Sequence, residues 1–171
     1  MRDSLRFEKF DRGKHDRQSF DCGVLALNEF LRTRLGQHTR RSLTQGYVLA
    51  TPEGRIAGYF TLAASRLMVT VIPDGHGYPA KMPLPTTLLG RLAVDRSFQG
   101  QGLGELLLVH ALRVTVEASE TVASAAVEVD AKDKRSRDFY ARYGFASLKD
   151  DALHMYLPMV TAKTVVASLG H

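Results

Sequence analysis

The sequence predicts a mixed α/β fold, and two patterns carry this prediction. Apolar stretches of strand length recur along the chain, and two of them, residues 47–51 and 55–64, flank the turn sequence Pro52-Glu53-Gly54, as in a β-hairpin. A third apolar stretch, Leu88–Val94, leads through alternate glycines into a long helical pattern that begins at Leu103. Strands and helices are therefore both expected to contribute to the core.

The other elements follow in chain order from periodicity and turn residues. We expect the following: a first strand at residues 5–10, a helix at about 24–37, a strand at 123–130, a short helix at 134–143, and strands at 145–149 and 154–158. Asp133 is a typical N-cap for the short helix, and Gly144 is placed to end it. Residues 73–85 are rich in proline and glycine and are predicted to form a loop, whereas His15 is expected to be a solvated loop histidine.

Length and composition predict a single domain that spans residues 1–171. A chain of 171 residues with 44% hydrophobic residues is long enough to bury one core. No apolar run approaches the roughly 18 residues that a membrane span needs, and the first residues lack an apolar signal-peptide core. Cys22 is the only cysteine, which excludes an intramolecular disulfide. We therefore expect a cytoplasmic protein.

The charge balance is basic. The chain has 23 Lys and Arg against 18 Asp and Glu, a formal net charge of +5. A basic surface attracts polyanions such as nucleic acid, although ordinary solubility charge is the simpler alternative. Because the excess consists mainly of clustered arginines, we favour a nucleic-acid partner.

The segment Gln99–Gly104 has the composition of a phosphate-binding loop. Glycines at 100, 102 and 104 let the main chain approach a bulky anion, and the helix that follows adds partial positive charge at its start. The alternative is a tight turn whose glycines serve packing alone. The segment matches neither G-x-x-x-x-G-K-[ST] nor G-x-G-x-x-G, so neither of these two common phosphate motifs is present.

Gln99-Gly100-Gln101-Gly102-Leu103-Gly104 resembles the Q/R-x-x-G-x-G/A signature of the GNAT acetyltransferases. Residues 88–108 and the stretch from Val129 to Phe145, which contains Phe-Tyr-x-x-x-Gly-Phe, are similar to the toxin branch of that superfamily. The resemblance extends from about residue 20 to about residue 158. It implies the acetyltransferase fold, a mixed and mostly antiparallel sheet flanked by helices, and acetyl-coenzyme A (acetyl-CoA) as the donor.

The resemblance also implies how acetyl-CoA is held. Main-chain amides of the loop meet the pyrophosphate, and the edge of the preceding strand pairs with the pantetheine arm, because a bulge parts that strand from its neighbour. The residues expected to contact acetyl-CoA are Leu92, Ala93, Val94, Gln99, Gly100, Gln101, Gly102, Leu103, Gly104, Glu105, Asp133 and Ser136. No metal is expected.

Tyr140 matches the position where GNAT enzymes place a tyrosine near the thioester sulfur. A tyrosine hydroxyl has a pKa of about 10, so at neutral pH it is protonated and can act as a general acid. The alternative is a packing aromatic. Phe139 and Tyr143, four residues apart, are the more natural core pair on this helix.

The absence of a carboxylate from Leu88–Val94 bears on the substrate. A lysine amine, with a pKa of about 10.4, needs a strong base, whereas an α-amino group titrates near 7.7–8.0 and an adjacent ester lowers its pKa further. An aminoacyl-tRNA amine therefore needs no dedicated base. A water relay to Asp95 or Glu128 is the alternative that stays open.

Arg91 interrupts an otherwise apolar strand, which is costly unless the side chain faces a cleft or a partner. We interpret it as a substrate-side or coenzyme-side contact; a salt bridge on a solvated face is the alternative. The residues expected to contact substrate are Arg91, Arg40, Arg41 and Lys81.

The resemblance implies the toxin of a type II toxin–antitoxin system, which acetylates the amino group of aminoacyl-tRNA and so inhibits translation. It further implies a homodimer, neutralised by a ribbon-helix-helix antitoxin through which the complex binds operator DNA. One alternative is a GNAT enzyme that acetylates a small amine or a protein amine. Another is a non-catalytic module that binds acyl-CoA.

Overall fold

The computed structural model describes residues 4–79 and 81–170. Its strands are β1 (Arg6–Lys9), β2 (Gln45–Ala50), β3 (Ile56–Met68), β4 (Pro83–Val94), β5 (Ala126–Asp130), β6 (Ala146–Ser147) and β7 (His154–Pro158). Its helices are α1 (Leu25–Glu29), α2 (Leu35–Arg40), α3 (Leu103–Ala118), α4 (Lys134–Ala141) and α5 (Met159–Leu169).

The strands form one seven-stranded sheet in the order β1-β2-β3-β4-β5-β7-β6. The ladders β1–β2, β2–β3, β5–β7 and β6–β7 are antiparallel, whereas β4 and β5 are parallel. The predicted hairpin is confirmed, since β2 and β3 pair and Gly54 turns between them with a φ of +94°. A mixed and mostly antiparallel sheet with helices is therefore the observed fold.

The chain divides into two compact units. The first unit comprises the described residues of Met1–Ala63 and Gly90–Leu108, and the second those of Ala64–Leu89 and Val109–His171. The core of the first unit includes Phe20, Leu31 and Tyr59, which are nearly inaccessible to solvent. Burial of each such side chain contributes about 1.5–3 kcal/mol. The core of the second unit is built from these residues: Leu67, Val69, Ile72, Leu84, Ala126, Leu148 and Tyr156.

The first helical segment is longer than predicted and irregular. It extends to Arg40, and a π-helical turn, Phe30–Arg34, lies between α1 and α2. The wider π turn adds a residue to the helical spacing and brings Phe30, Leu31 and Leu35 all into the core. Such a turn has no recognisable signal in a pattern with 3.6-residue periodicity.

The predicted loop at residues 73–85 is only partly a loop. A 3-10 helix covers Pro73–Gly77, and β4 already begins at Pro83, five residues before the predicted strand. Pro83 and Pro85 are exposed and alternate with buried Leu84 and Thr86, which is the two-residue period of a strand. The prediction was wrong because proline content outweighed this two-residue alternation.

The prediction of a solvated His15 is also wrong. His15 is 4% exposed. Its Nδ1 accepts a hydrogen bond from the amide of Asp11 at 2.9 Å, and its ring stacks on Phe10.

The segment after Pro158, to which the sequence analysis assigned no element, forms α5. No helix within the described residues is long and apolar enough to cross a membrane.

Candidate active site

The glycine loop follows β4 in the first unit. Arg96–Phe98 form a 3-10 turn, and Gly100 and Gly102 then adopt φ values of +80° and +75°, which only glycine adopts without strain. A Cβ atom at either glycine would meet nothing within 4 Å, so the loop is open on that side. Helix α3 begins at the next residue, Leu103. Main-chain amides in an open loop at a helix start suit a diphosphate.

Asp95 anchors the start of this loop. Its carboxylate is 3% exposed. It accepts hydrogen bonds from the amide of Asp21 at 2.9 Å and from the amide of Ser97 at 2.8 Å. A guanidinium nitrogen of Arg55 lies 3.8 Å away. Because both oxygens are engaged in holding the backbone, Asp95 is not a free base.

The side chain of Gln99 points back toward the protein rather than away from the loop. Its Nε2 donates to the carbonyl of Val94 at 3.0 Å and, more weakly, to the carbonyl of Cys22 at 3.4 Å. The first residue of the motif therefore braces the loop against the end of β4. Sequence reasoning assigned Gln99 only a coenzyme contact and missed this role.

The end of β4 extends beyond its ladder with β5. The register pairs run from Thr86↔Ala126 to Leu89↔Val129, and residues 90–94 continue past the last pair. Leu92, Ala93 and Val94 thus occupy the strand end directly before the glycine loop. The edge of such a segment can take up an extended ligand by main-chain hydrogen bonding.

Arg91 lies on this same strand end. Its guanidinium carbon is 3.4 Å from the ring centroid of Phe30, a cation–π contact worth about 0.5–2 kcal/mol. Burial lowers the pKa of Arg91, and nearby Arg34 lowers it further. Arg91 forms no salt bridge within the described residues, so the interpretation as a surface ion pair is wrong. Stacking on Phe30 holds the guanidinium, whose N–H groups make no hydrogen bond to any residue in the described part of the chain.

In the second unit, Asp133 caps α4 as predicted. Its Oδ1 accepts a hydrogen bond from the amide of Ser136 at 2.8 Å, and this bond holds the pKa of Asp133 below its usual value. The two predicted coenzyme contacts, Asp133 and Ser136, are therefore adjacent at the start of the helix. The helix ends at Ala141, and Gly144 follows with a φ of +100°.

Tyr140 is the most buried aromatic residue of α4, with 8% of its surface exposed. Its ring packs edge-on against Phe139 and tilted against Phe145, with centroids 5.2 and 5.3 Å apart. Phe139 and Tyr143 do contact each other, but both are only half-buried, so they are not the core pair that the helical spacing predicted. Phe145, beyond the helix, covers Tyr140 instead.

The hydroxyl of Tyr140 forms no hydrogen bond with any of the residues that the structure describes. Burial alone raises its pKa well above the usual value for tyrosine. The group is consequently protonated at every physiological pH and keeps a donor available. This combination suits a general acid.

Glu128, the other base candidate, belongs to a charged cluster that sequence reasoning did not find. Its Oε1 accepts a hydrogen bond from Thr86 at 2.9 Å, and its Oε2 lies 2.5 Å from Nε2 of His154. Nδ1 of His154 in turn lies 3.0 Å from Asp150. Burial by itself would lower the pKa of His154, but the hydrogen bonds to Asp150 and Glu128 outweigh burial and raise it.

We expect the link between Asp150 and His154 to stabilise the protein only at lower pH. A histidine whose pKa is raised on folding stabilises fully below its unfolded pKa of about 6.5, and this stabilisation is lost as the pH rises through the folded value. The loss of unfolding free energy caused by Asp150→Asn should therefore be largest near pH 6 and shrink toward pH 9 in urea titrations. Asp151→Asn is the matched control, and a loss independent of pH would contradict the assignment.

The remaining predicted contacts are surface residues. Arg40 is exposed in the last turn of α2, Arg41 is exposed directly after it, and Lys81 is exposed before β4. Arg40 lines a groove with Lys9 and Arg12. No group of three or more metal-binding side chains occurs among the described residues.

The fold and the glycine loop agree with what the family comparison shows, namely that this protein is an acetyl-CoA-dependent N-acetyltransferase. The sequence model of the acetyltransferase (GNAT) family matches residues 14–145, which is most of the chain. The chain therefore belongs to the GNAT family, as the motif at Gln99–Gly104 indicated.

Individual relatives and solved structures are similar to this chain over most of its length. The chain is 33% identical over 152 residues to the tRNA-acetylating toxin of Mycobacterium tuberculosis, with 88% of this chain and 90% of that protein covered. A crystal structure of a tyrosine-to-phenylalanine mutant of KacT matches with a TM-score of 0.88 at 31% identity, covering 95% of this chain and 99% of that one. AtaT complexed with acetyl-methionyl-tRNAfMet matches with a TM-score of 0.86 at 34% identity, covering 94% and 98%.

Proposed function

We propose that the protein is a toxin that acetylates the amino group of aminoacyl-tRNA and so inhibits translation. The observation that carries the substrate assignment is the state of the two candidate bases. The carboxylate oxygens of Asp95 and Glu128 are bound to structural partners, whereas the hydroxyl of the acid candidate Tyr140 has no hydrogen-bond partner among the described residues. An enzyme that has a general acid but no free carboxylate base suits an amine that is already largely unprotonated. The α-amino group of an aminoacyl ester is such an amine.

The donor site is proposed to lie along the end of β4 and the loop after it. The main-chain amides of Gln99–Gly104 hold the diphosphate, and the strand edge at Leu92–Val94 pairs with the pantetheine amides. Glu105, Asp133 and Ser136 complete the proposed contacts. When bound, acetyl-CoA supplies a thioester carbonyl that an amine can attack. Positioning that carbonyl beside the amine supplies much of the rate.

Tyr140 is proposed to donate its proton toward the sulfur that leaves. Its buried ring fixes the direction of the hydroxyl, and its raised pKa prevents early loss of the proton. On the acceptor side, Arg91 is proposed to use its N–H groups on an anionic part of the substrate. Arg40, Arg41 and Lys81 are proposed to contact tRNA more weakly, from the surface.

The similar proteins support this substrate and a set of partners. The relative from Mycobacterium tuberculosis is a tRNA-acetylating toxin. AtaT has been solved in complex with acetyl-methionyl-tRNAfMet, and AtaTR has been solved bound with AcCoA. AtaT is also described bound to the C-terminus of the antitoxin AtaR, and KacTA in complex with DNA. We infer a homodimer in the cytoplasm, neutralised by a ribbon-helix-helix antitoxin that also binds the operator.

Mass spectrometry of charged tRNA after incubation with acetyl-CoA tests the substrate. We expect acetylation of the aminoacyl group, with a subset of isoacceptors preferred. If a polyamine or a peptide amine is acetylated while every charged tRNA stays unmodified, the proposed substrate is wrong. Binding of acetyl-CoA without turnover on any amine would instead identify a non-catalytic module.

We expect Gly102→Ala to weaken acetyl-CoA binding by about tenfold or more in calorimetry. A non-glycine residue at a φ of +75° costs about 1–2 kcal/mol, and the added methyl group projects from the open side of the loop. Gly77→Ala is the matched control, because Gly77 has a φ of +77° and equally open surroundings at the end of the 3-10 helix Pro73–Gly77. Equal affinities for the two variants would remove the loop from the donor site.

A further inference from the structure

A small arginine-lined cavity lies on the first unit, outside the glycine loop. Its volume is about 180 Å³, and it lies between the loop after β1 and the helical segment around the π turn. It is lined by Arg12, Arg17, Arg32, Thr33, Gly36 and Gln37. A wider groove of about 460 Å³ shares Arg12 and Gly36 with it and adds Lys9 and Arg40.

The protein compensates the positive charge of the cavity only weakly. No carboxylate lines it, and Arg12, Arg17 and Arg32 form no salt bridge within the described part of the chain. The hydrogen bonds that Oδ1 of Asp21 accepts from Gly23 and Asn28 lower the pKa of this carboxyl, and the charge of Arg32 lowers it slightly further. Oδ2 of Asp21 lies 3.8 Å from Nε of Arg96. In the adjoining groove, Asp11 accepts a hydrogen bond from the amide of Gly13. Three guanidinium groups around one small space would therefore repel each other unless an anion enters.

Two of the arginines that line this cavity each have an unpartnered donor behind it. The Nε atoms of Arg17 and Arg32 are buried and make no hydrogen bond with the residues that the structure describes. A buried N–H without an acceptor is costly, and an anion or a water close to the guanidinium group would reduce that cost. Arg32 is held in place because its Nη2 donates to the carbonyl of Phe20. The guanidinium is thus fixed before any anion arrives.

We propose that this cavity binds a backbone phosphate of the RNA substrate. The proposal rests on the proposed function and extends its substrate contacts to Arg12, Arg17 and Arg32. Planar guanidinium forks match phosphate oxygens in pairs, and the cavity is large enough for one phosphate group with its waters. The groove through Arg12 to Lys9 and Arg40 continues the positive charge, as a polyanion with successive phosphates requires.

The salt dependence of RNA binding tests this site. Arg12→Gln and Arg17→Gln are the variants of choice, because Arg32 also supports the backbone at Phe20. Binding of deacylated tRNA is measured by fluorescence anisotropy over a range of salt concentrations, without acetyl-CoA. We expect each variant to bind about tenfold more weakly at low salt, and the slope of log K against log salt to fall by about 0.7–0.9 per lost phosphate contact.

Arg66→Gln is the matched control. Arg66 is exposed on β3 and does not line the cavity, so its substitution removes the same charge elsewhere. A slope equal to that of Arg66→Gln overturns the proposal. The proposal is also overturned if the cavity variants bind tRNA like the wild type but bind an acidic antitoxin peptide more weakly. The cavity would then bind the antitoxin and not the RNA. Thermal midpoints equal to that of Arg66→Gln show that the variants are folded.

The test stays separate from that of the proposed function. If charged tRNA is not acetylated even by the wild type, the substrate assignment fails, while the slopes with deacylated tRNA still report on the cavity. If acetylation occurs, the cavity variants should raise KM for charged tRNA and leave the affinity for acetyl-CoA unchanged. A lower kcat with an unchanged KM would contradict a role in binding RNA.

Discussion

We expect Tyr140→Phe to lower kcat by about 10²–10⁴-fold and to leave the affinity for acetyl-CoA unchanged. The substitution removes one hydroxyl from a buried ring that packs against Phe139 and Phe145, so the ring contacts stay. The hydroxyl makes no hydrogen bond within the described residues, and its removal therefore breaks no structural contact. A general acid typically contributes a rate factor of that size.

Steady-state kinetics and calorimetry together check this expectation. Tyr47→Phe is the matched control, because Tyr47 is a half-buried tyrosine stacked on Phe60 with centroids 5.0 Å apart. Since burial raises the pKa of Tyr140, kcat should also show no alkaline decline from this group at pH 9. A Tyr140→Phe enzyme that turns over like Tyr47→Phe would exclude Tyr140 as the acid.

We expect Asp95→Ala to destabilise the protein by about 3 kcal/mol. The buried carboxylate is the acceptor for the part-buried amides of Asp21 and Ser97, and loss of each such hydrogen bond costs about 1–3 kcal/mol. Because those bonds also hold the start of the glycine loop, acetyl-CoA binding should weaken in the folded fraction. Urea unfolding measures the first effect and calorimetry the second.

Asp95→Asn separates loss of charge from loss of the hydrogen bonds. Its amide oxygen can still accept one of the two bonds, so we expect roughly half of the destabilisation. Asp130→Ala is the control, because Asp130 is an exposed aspartate at the end of β5. An Asp95→Ala protein as stable as Asp130→Ala would mean that the loop does not depend on this carboxylate.

Features that depend on neighbours in the chain were predictable. The glycine loop, the cap of α4 by Asp133, the hairpin between β2 and β3 and the bounds of β7 all follow from short-range patterns. Each of these requires particular residue types within a few positions, and the sequence displays those types directly.

Features that depend on register or on distant packing were not predictable. Glu128 and His154 are 26 residues apart and meet only because β5 and β7 pair in one particular register. Tyr140 is buried by Phe145, which lies outside its helix, and the loop that carries His15 packs on the β2–β3 turn at Gly54. A periodicity within one element carries no information about such partners.

The parallel ladder between β4 and β5 has a consequence for synthesis of the protein. β4 and β5 are joined through the glycine loop and α3, and β5 also pairs with β7, which is completed only at Pro158. Pairings between strands so far apart in sequence form late in folding. A chain still emerging from the ribosome should therefore lack acetyltransferase activity, which should begin only once β7 has emerged.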